Sequence, residues 1–171
     1  NEAVDLQQPR MADLYYLEAE SHMALGGYGE AAATFEKLFR TGGFELKYYR
    51  DYAIALAYNG ELEKAQETLD EAIGLGLTED AVYYTRGEIG KSRQELDQAL
   101  EDFRRCIDLT EDDELKARAY TVMSGIYEEQ GRNLDQRELL LEAREALPAA
   151  DQMILLQQLI QVDMDLAERS G

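Results

Sequence analysis

An all-α solenoid of antiparallel helix pairs is the fold this sequence predicts, and two observations predict it. The first is a repeat. Tyr15, Tyr49 and Tyr83 are 34 residues apart, and so are Ala19, Ala53 and Gly87. The same interval separates Ala31, Ala65 and Ala99; Phe35, Leu69 and Phe103; Leu38, Ala72 and Cys106; and Phe39, Ile73 and Ile107. Columns in register over three units mark stacked helix pairs, each burying its apolar face against its neighbours. The second observation concerns proline. Pro9 and Pro148 are the only two, and they bracket the repeat region. A long interior without proline suits a nearly all-helical chain.

Taken in order, the first helix starts near Pro9, tolerated in a first turn, and stops at Gly26-Gly27. Its partner carries Ala31, Phe35, Leu38 and Phe39 at helical spacing and stops at Gly42-Gly43. The second pair runs from about Glu45 to Asn59-Gly60, then from Leu62 to Gly74. The third starts after Thr78, read as an N-cap, breaks around Gly90 to Arg93, and resumes through Ile107. These pairs occupy about 12–45, 46–79 and 80–113.

The fourth unit, about 117–150, slips. Tyr120, Ser124 and Tyr127 lie 37 residues after Tyr83, Gly87 and Gly90, so three residues enter near Glu111 to Glu114. Thr110 with Asp113 resembles a capping box opening a longer helix. Gly131 ends that helix, and the next runs from Asn133 to Leu147 before Pro148. Gln136 takes the column filled earlier by alanine, which puts the packing of this pair in question.

A terminal helix covers 151–169. Leu155, Leu159, Val162 and Leu166 form one apolar stripe; Met153, Leu156, Ile160, Met164 and Ala167 form a second. The end of an array should be polar on its outer side. Three explanations stand: a deep crevice against the third and fourth units, an array that continues in a longer protein, or self-association through Met153, Leu156, Ile160 and Met164. The first two account for the pattern without a new function. The opening on Asn1 also reads as a piece of a larger protein.

Composition narrows the function classes. Of 171 residues, 36 are acidic and 17 basic, a net charge of −19. That excludes the phosphate backbone of nucleic acids and anionic lipid as natural partners. With 45% apolar residues the chain is too hydrophobic for a disordered acidic tail. Cys106 is the lone cysteine, in a column of small and apolar residues, and reads as buried and inert. No run reaches membrane-spanning length and no signal peptide is visible; the compartment stays open, with the cytoplasm favoured.

Chemistry-bearing constellations are missing. His22 is the only histidine, and with Cys106 it makes no zinc site. The acidic run at Glu111 to Glu114 lacks the alternating ligands, central glycine and distal glutamate of a calcium loop; acids there suit a helix start. No nucleophile–base arrangement and no phosphate-binding glycine loop is present. Neither a metal, a cofactor nor an enzyme activity is expected.

The columns resemble the tetratricopeptide repeat over about residues 12–148. The runs Gly27-Tyr28-Gly29-Glu30-Ala31 through Phe35, and Asn59-Gly60-Glu61-Leu62-Glu63-Lys64-Ala65 through Leu69, match that family's turn and second helix. Pro148 stands in its terminal proline place. The resemblance implies a right-handed superhelix whose first helices line a concave groove for a peptide or helix of a partner protein. It places Asp13, Tyr16, Glu20 and Met23 in that groove from the first unit, and Lys47, Arg50, Ile54 and Tyr58 from the second. The third adds Ala81, Tyr84, Glu88 and Lys91, and the fourth Arg118, Thr121, Gly125 and Glu128. Four of these are acidic and four basic, so most of the acid excess lies on other faces.

The expected contacts are Tyr16, Ile54, Tyr58 and Tyr84 for area and Glu20, Lys47, Arg50, Glu88 and Lys91 for polar register. Tyr15, Tyr49, Tyr83 and Tyr120 read as packing residues. One subfamily grips a chaperone's C-terminal carboxylate with lysines, an arginine and asparagines. Here Tyr16, Glu20 and Ile54 stand where its first lysine and its two asparagines would be, so that clamp is not expected. The function read from the chain is a protein-binding scaffold. The alternatives are a regulatory or sensory module of a larger protein, such as a bacterial kinase or transcription regulator, and homotypic assembly through the last helix.

Overall fold

The computed structural model describes residues 8–170, and among them there are helices and no strand. They form two compact units divided between Thr78 and Glu79. The first unit holds α1 (Gln8–Ala24), α2 (Tyr28–Arg40), α3 (Leu46–Tyr58) and α4 (Leu62–Gly74). The second holds α5 (Asp80–Ser92), α6 (Leu96–Leu109), α7 (Asp113–Glu129), α8 (Asn133–Ala146), a 3-10 turn at Ala149–Asp151 and α9 (Met153–Ser170). Within each unit, successive helices pack on one another.

Most repeat columns are buried, while Phe39 and Ile73 of the last are half-buried. Ala19, Ala31, Ala53, Ala65 and Ala99 are fully buried, as are Phe35, Leu38, Leu69, Ala72, Phe103 and Cys106. Small residues let paired helices approach, and aromatic and leucine side chains fill the space beside them. Tyr49, Tyr83 and Tyr120 are buried and Tyr15 is half-buried, consistent with packing roles.

Each helix pair reverses on a residue in the left-handed region. Gly26, Gly60 and Gly131 sit there at φ 76°, 87° and 66°. In the third pair that position is Gln94, at φ 65°. The break expected from Gly90 to Arg93 falls at the far end of that stretch: α5 runs through Gly90 to Ser92, with Arg93 as its C-cap. Gly90 is buried instead, and a Cβ there would lie 3.6 Å from that of Ala99.

Two expected caps also move. The third pair starts at Asp80 with Glu79 in the N-cap place, so Thr78 is not the cap. At the slipped unit, the cap of α7 is Asp112, whose Oδ1 accepts from the backbone N–H of Glu114 and Leu115 at 2.9 and 3.3 Å. Thr110 is buried and accepts from Asp112 N–H at 3.1 Å, which turns the chain into that cap.

Gln136 resolves the doubt over the fourth pair. Its side chain is buried and donates to the buried Ser124 hydroxyl at 3.1 Å. The terminal helix departs from expectation. It packs on α8 and, to a lesser degree, α7, both of the fourth pair, instead of a crevice shared with the third. Leu155, Leu159 and Val162 are buried there. Gln152 Nε2 donates to the carbonyls of Leu147 and Arg144 at 2.6 and 2.8 Å, satisfying the open end of α8. The second stripe is uncovered: Met153, Ile160 and Met164 are 70%, 62% and 53% exposed.

Candidate functional site

In the first unit, α1 and α3 bring Tyr16, Lys47 and Arg50 together around a residue not expected in the site, Asp51. The Tyr16 hydroxyl donates to Asp51 Oδ2 at 2.7 Å, and Arg50 Nε pairs with Asp51 Oδ1 at 2.9 Å. Lys47 Nζ lies over the Tyr16 ring, 4.6 Å from its centre, and reaches Glu45 at 3.4 Å. The Tyr16 ring also packs against Phe35 and Tyr48, at 6.3 and 5.2 Å between ring centres. Burial, followed by the hydrogen bond to Asp51, raises the Tyr16 pKa, with Glu20 adding to the rise. Tyr16 thus stays a neutral donor that ties α1 to α3. Glu20 is exposed and Ile54 half-buried. Tyr58 lies apart from this cluster, 70% exposed, with its ring stacked on Tyr28 at 4.8 Å.

In the second unit, α5 and α7 assemble Tyr84, Glu88 and Lys91 with Arg118. The Arg118 guanidinium sits 5.2 Å from the centre of the Tyr84 ring, which also meets Phe103 edge-on at 5.4 Å. Glu88 is exposed as a residue, yet desolvation of its carboxyl raises the pKa, against the opposing pull of Lys91 and Arg118. Lys91 and Arg118 make no ion pair within 4 Å among the described residues, whereas Arg86, Arg93, Arg104 and Arg132 all do.

Both faces therefore combine aromatic area with cations in a strongly acidic chain. Asp51 and Arg118 were the residues sequence reasoning undervalued. Asp51 sits one place after an expected contact, and its role depends on a partner 35 residues away. Arg118 belongs to an expected groove place, and only its position over Tyr84 singles it out. Chemically the faces offer recognition: ring surface, fixed cations and a few carboxylates. Among the described residues no cluster of three or more His, Cys, Asp or Glu side chains has the geometry of a metal site, and no helix is long and apolar enough to cross a membrane.

A family model described as tetratricopeptide repeat matches residues 81–113, the third helix pair. The chain carries a tetratricopeptide-repeat fold. Solved structures agree over far more of its length. MamA is 18% identical over 98% of this chain and 86% of its own, with a TM-score of 0.66. YrrB, described as a TPR protein with an unusual peptide-binding site, is 22% identical over 85% and 73%, with a TM-score of 0.67. PilF of Pseudomonas aeruginosa is 12% identical over 95% and 72%, with a TM-score of 0.75. At these identities the likeness is one of fold. No curated protein matches the chain. The tetratricopeptide fold accounts for the alternation described above: first helices α1, α3, α5 and α7, and second helices α2, α4, α6 and α8.

Proposed function

We propose that this chain is a protein–protein interaction module that takes a peptide or helix of a partner on the faces of its first helices. The observation that carries the reading is the Arg118 guanidinium over the Tyr84 ring, with Arg118 and Lys91 both acting on Glu88 and neither in an ion pair among the described residues. In a chain of net charge −19, a cation held over an aromatic ring and outside any ion pair favours a surface held ready for a ligand. In the first unit Lys47, Arg50, Glu20 and Ile54 supply the contacts to the ligand, with Arg50 held by Asp51 and Lys47 by Glu45. Tyr16 and Tyr84 act mainly by holding these side chains in place, since both rings are engaged in packing. The description of YrrB as peptide-binding supports the same use of the fold. On this reading the chain is not an enzyme, and its specificity comes from a partner segment with apolar area and mixed charge.

A photo-crosslinking amino acid placed at Ile54 or at Lys91 tests the proposal. Capture of the same cellular protein from both positions, with none from Glu67 on α4, supports it. Capture from Glu67 alone would move the binding surface to the second helices.

A further inference from the structure

Three half-buried tyrosines carry a cation of this chain over the ring. Lys47 lies 4.6 Å from the centre of Tyr16, Arg118 5.2 Å from that of Tyr84 and Arg132 4.6 Å from that of Tyr127. The attraction is that of a positive charge for the electron-rich face of the ring. Tyr58 is different. At 70% it is the most exposed tyrosine among the described residues, and no cation there lies over it or over Tyr28, the ring it stacks on.

The charges beside this stacked pair are acidic. Residues 23–36 and 51–63, the stretches that hold the two tyrosines, contain five acids and no base. Two of the acids are satisfied: Glu36 pairs with Lys64 and Asp51 with Arg50. Glu30 and Glu61 have no base within 4 Å among the described residues, and both carboxylates sit close to the pair. A Cβ on Gly27, next to Tyr28, would lie 3.1 Å from Glu30 Oε2. Glu61 Oε1 accepts from the side-chain amide of Asn59, next to Tyr58, at 2.7 Å. Asn59 in turn lies against Gly29, so the end of α3 and the start of α2 form one corner. Leu25, three residues before Tyr28, is 86% exposed. An open ring face, two carboxylates without a base and an exposed aliphatic side chain together match one kind of group. A guanidinium is planar, stacks on aromatic faces and pairs with carboxylates, and its aliphatic stem covers apolar surface.

We propose that Tyr58 receives a basic side chain of the partner, arginine before lysine, with the cation on the open face of the ring and its charge met by Glu30 and Glu61. This rests on the partner-binding reading above and adds the partner's chemistry at one position.

Nuclear magnetic resonance titration of the full chain, labelled on its tyrosine rings, tests it with two small probes. One is Nα-acetylarginine methylamide; the other is the citrulline counterpart, equal in shape and without charge. The arginine probe should give saturable shifts centred on the Tyr58 and Tyr28 rings, and bind about two- to fivefold more tightly than the citrulline probe. Tyr58→Leu should remove the response. Glu30→Gln with Glu61→Gln, which leaves the stacked rings in place, should weaken it. Three results would overturn the assignment: shifts spread over the acidic surface with no focus at Tyr58, equal binding of the two probes, or affinity unchanged in both variants. The probes report on this corner whether or not a protein partner is captured. Capture at Ile54 or Lys91 with no focused response overturns the arginine subsite alone. A focused response with capture at neither position supports the subsite and removes the reading of the first-helix faces.

Discussion

Ser124 and Gln136 share a hydrogen bond of 3.1 Å at two places that small residues occupy in the earlier pairs. Both side chains are sealed from water, at 0% and 4% exposure. Ser124 follows the column of Ala19, Ala53 and Gly87, and Gln136 that of Ala31, Ala65 and Ala99. Ser124→Ala strands a buried amide and should cost about 1–3 kcal/mol by denaturant unfolding. Adding Gln136→Met replaces both polar groups by apolar ones and should recover most of that loss.

A second polar pair, buried Asp102 with part-buried Arg86, lies one unit earlier. Arg86 grips Asp102 through Nε at 3.0 Å and through its terminal nitrogen at 2.6 Å, with Asp102 2% exposed. One helix pair further on, Met123 and Leu139 occupy the corresponding places and are equally buried. Asp102→Ala takes this carboxylate from the part-buried guanidinium and should cost about 1–3 kcal/mol. The joint change Arg86→Met with Asp102→Leu should be neutral or stabilising, because the desolvation of two charges disappears with them. Thermal melts of the three variants check the order.

Gln94 is the one non-glycine among the described residues with positive φ. The left-handed region costs a side-chain-bearing residue roughly 1–2 kcal/mol, partly offset by the greater chain entropy that glycine loses on folding. Gln94→Gly, restoring the residue of the other three reversals, should therefore stabilise by about 1 kcal/mol and raise the midpoint of chemical denaturation with an unchanged m-value.

Cys106 is fully buried, and burial first, with Asp80 second, pushes its thiol up to about 12 from an ordinary 9.0. The native protein should resist a thiol reagent at pH 8 and react only as fast as it unfolds. Because the folded state holds this proton more tightly, the contribution is complete below pH 9. It should be lost as pH rises from there towards 12. Labelling kinetics and an alkaline stability profile check the two halves.

The sequence disclosed the helix pairs because a repeat forces burial into columns: Ala31, Ala65 and Ala99 announce close approach, and Gly26, Gly60 and Gly131 announce reversals. It did not disclose Gln94, since a glutamine in the left-handed region has no signature in composition or spacing. Nor did it disclose Asp102, one acid among 36 and most naturally read as surface. The two stripes of α9 showed that the helix has two apolar faces, but periodicity alone does not say what lies against either. For the candidate site, the first-helix positions came from the family resemblance. Asp51 did not, because its place between Tyr16 and Arg50 depends on the packing of α1 on its neighbours.

The measurement that tests the central claim most directly is the affinity of the captured partner for three proteins by calorimetry: the parent, Lys47→Glu with Lys91→Glu, and Glu67→Lys. Glu67 is exposed and Lys47 and Lys91 are half-exposed, so circular dichroism of each variant should match that of the parent. The account predicts a loss of tenfold or more, about 1.4 kcal/mol, for the double variant and no change for Glu67→Lys. Unchanged affinity in the double variant, with loss at Glu67→Lys, would contradict binding on the first helices.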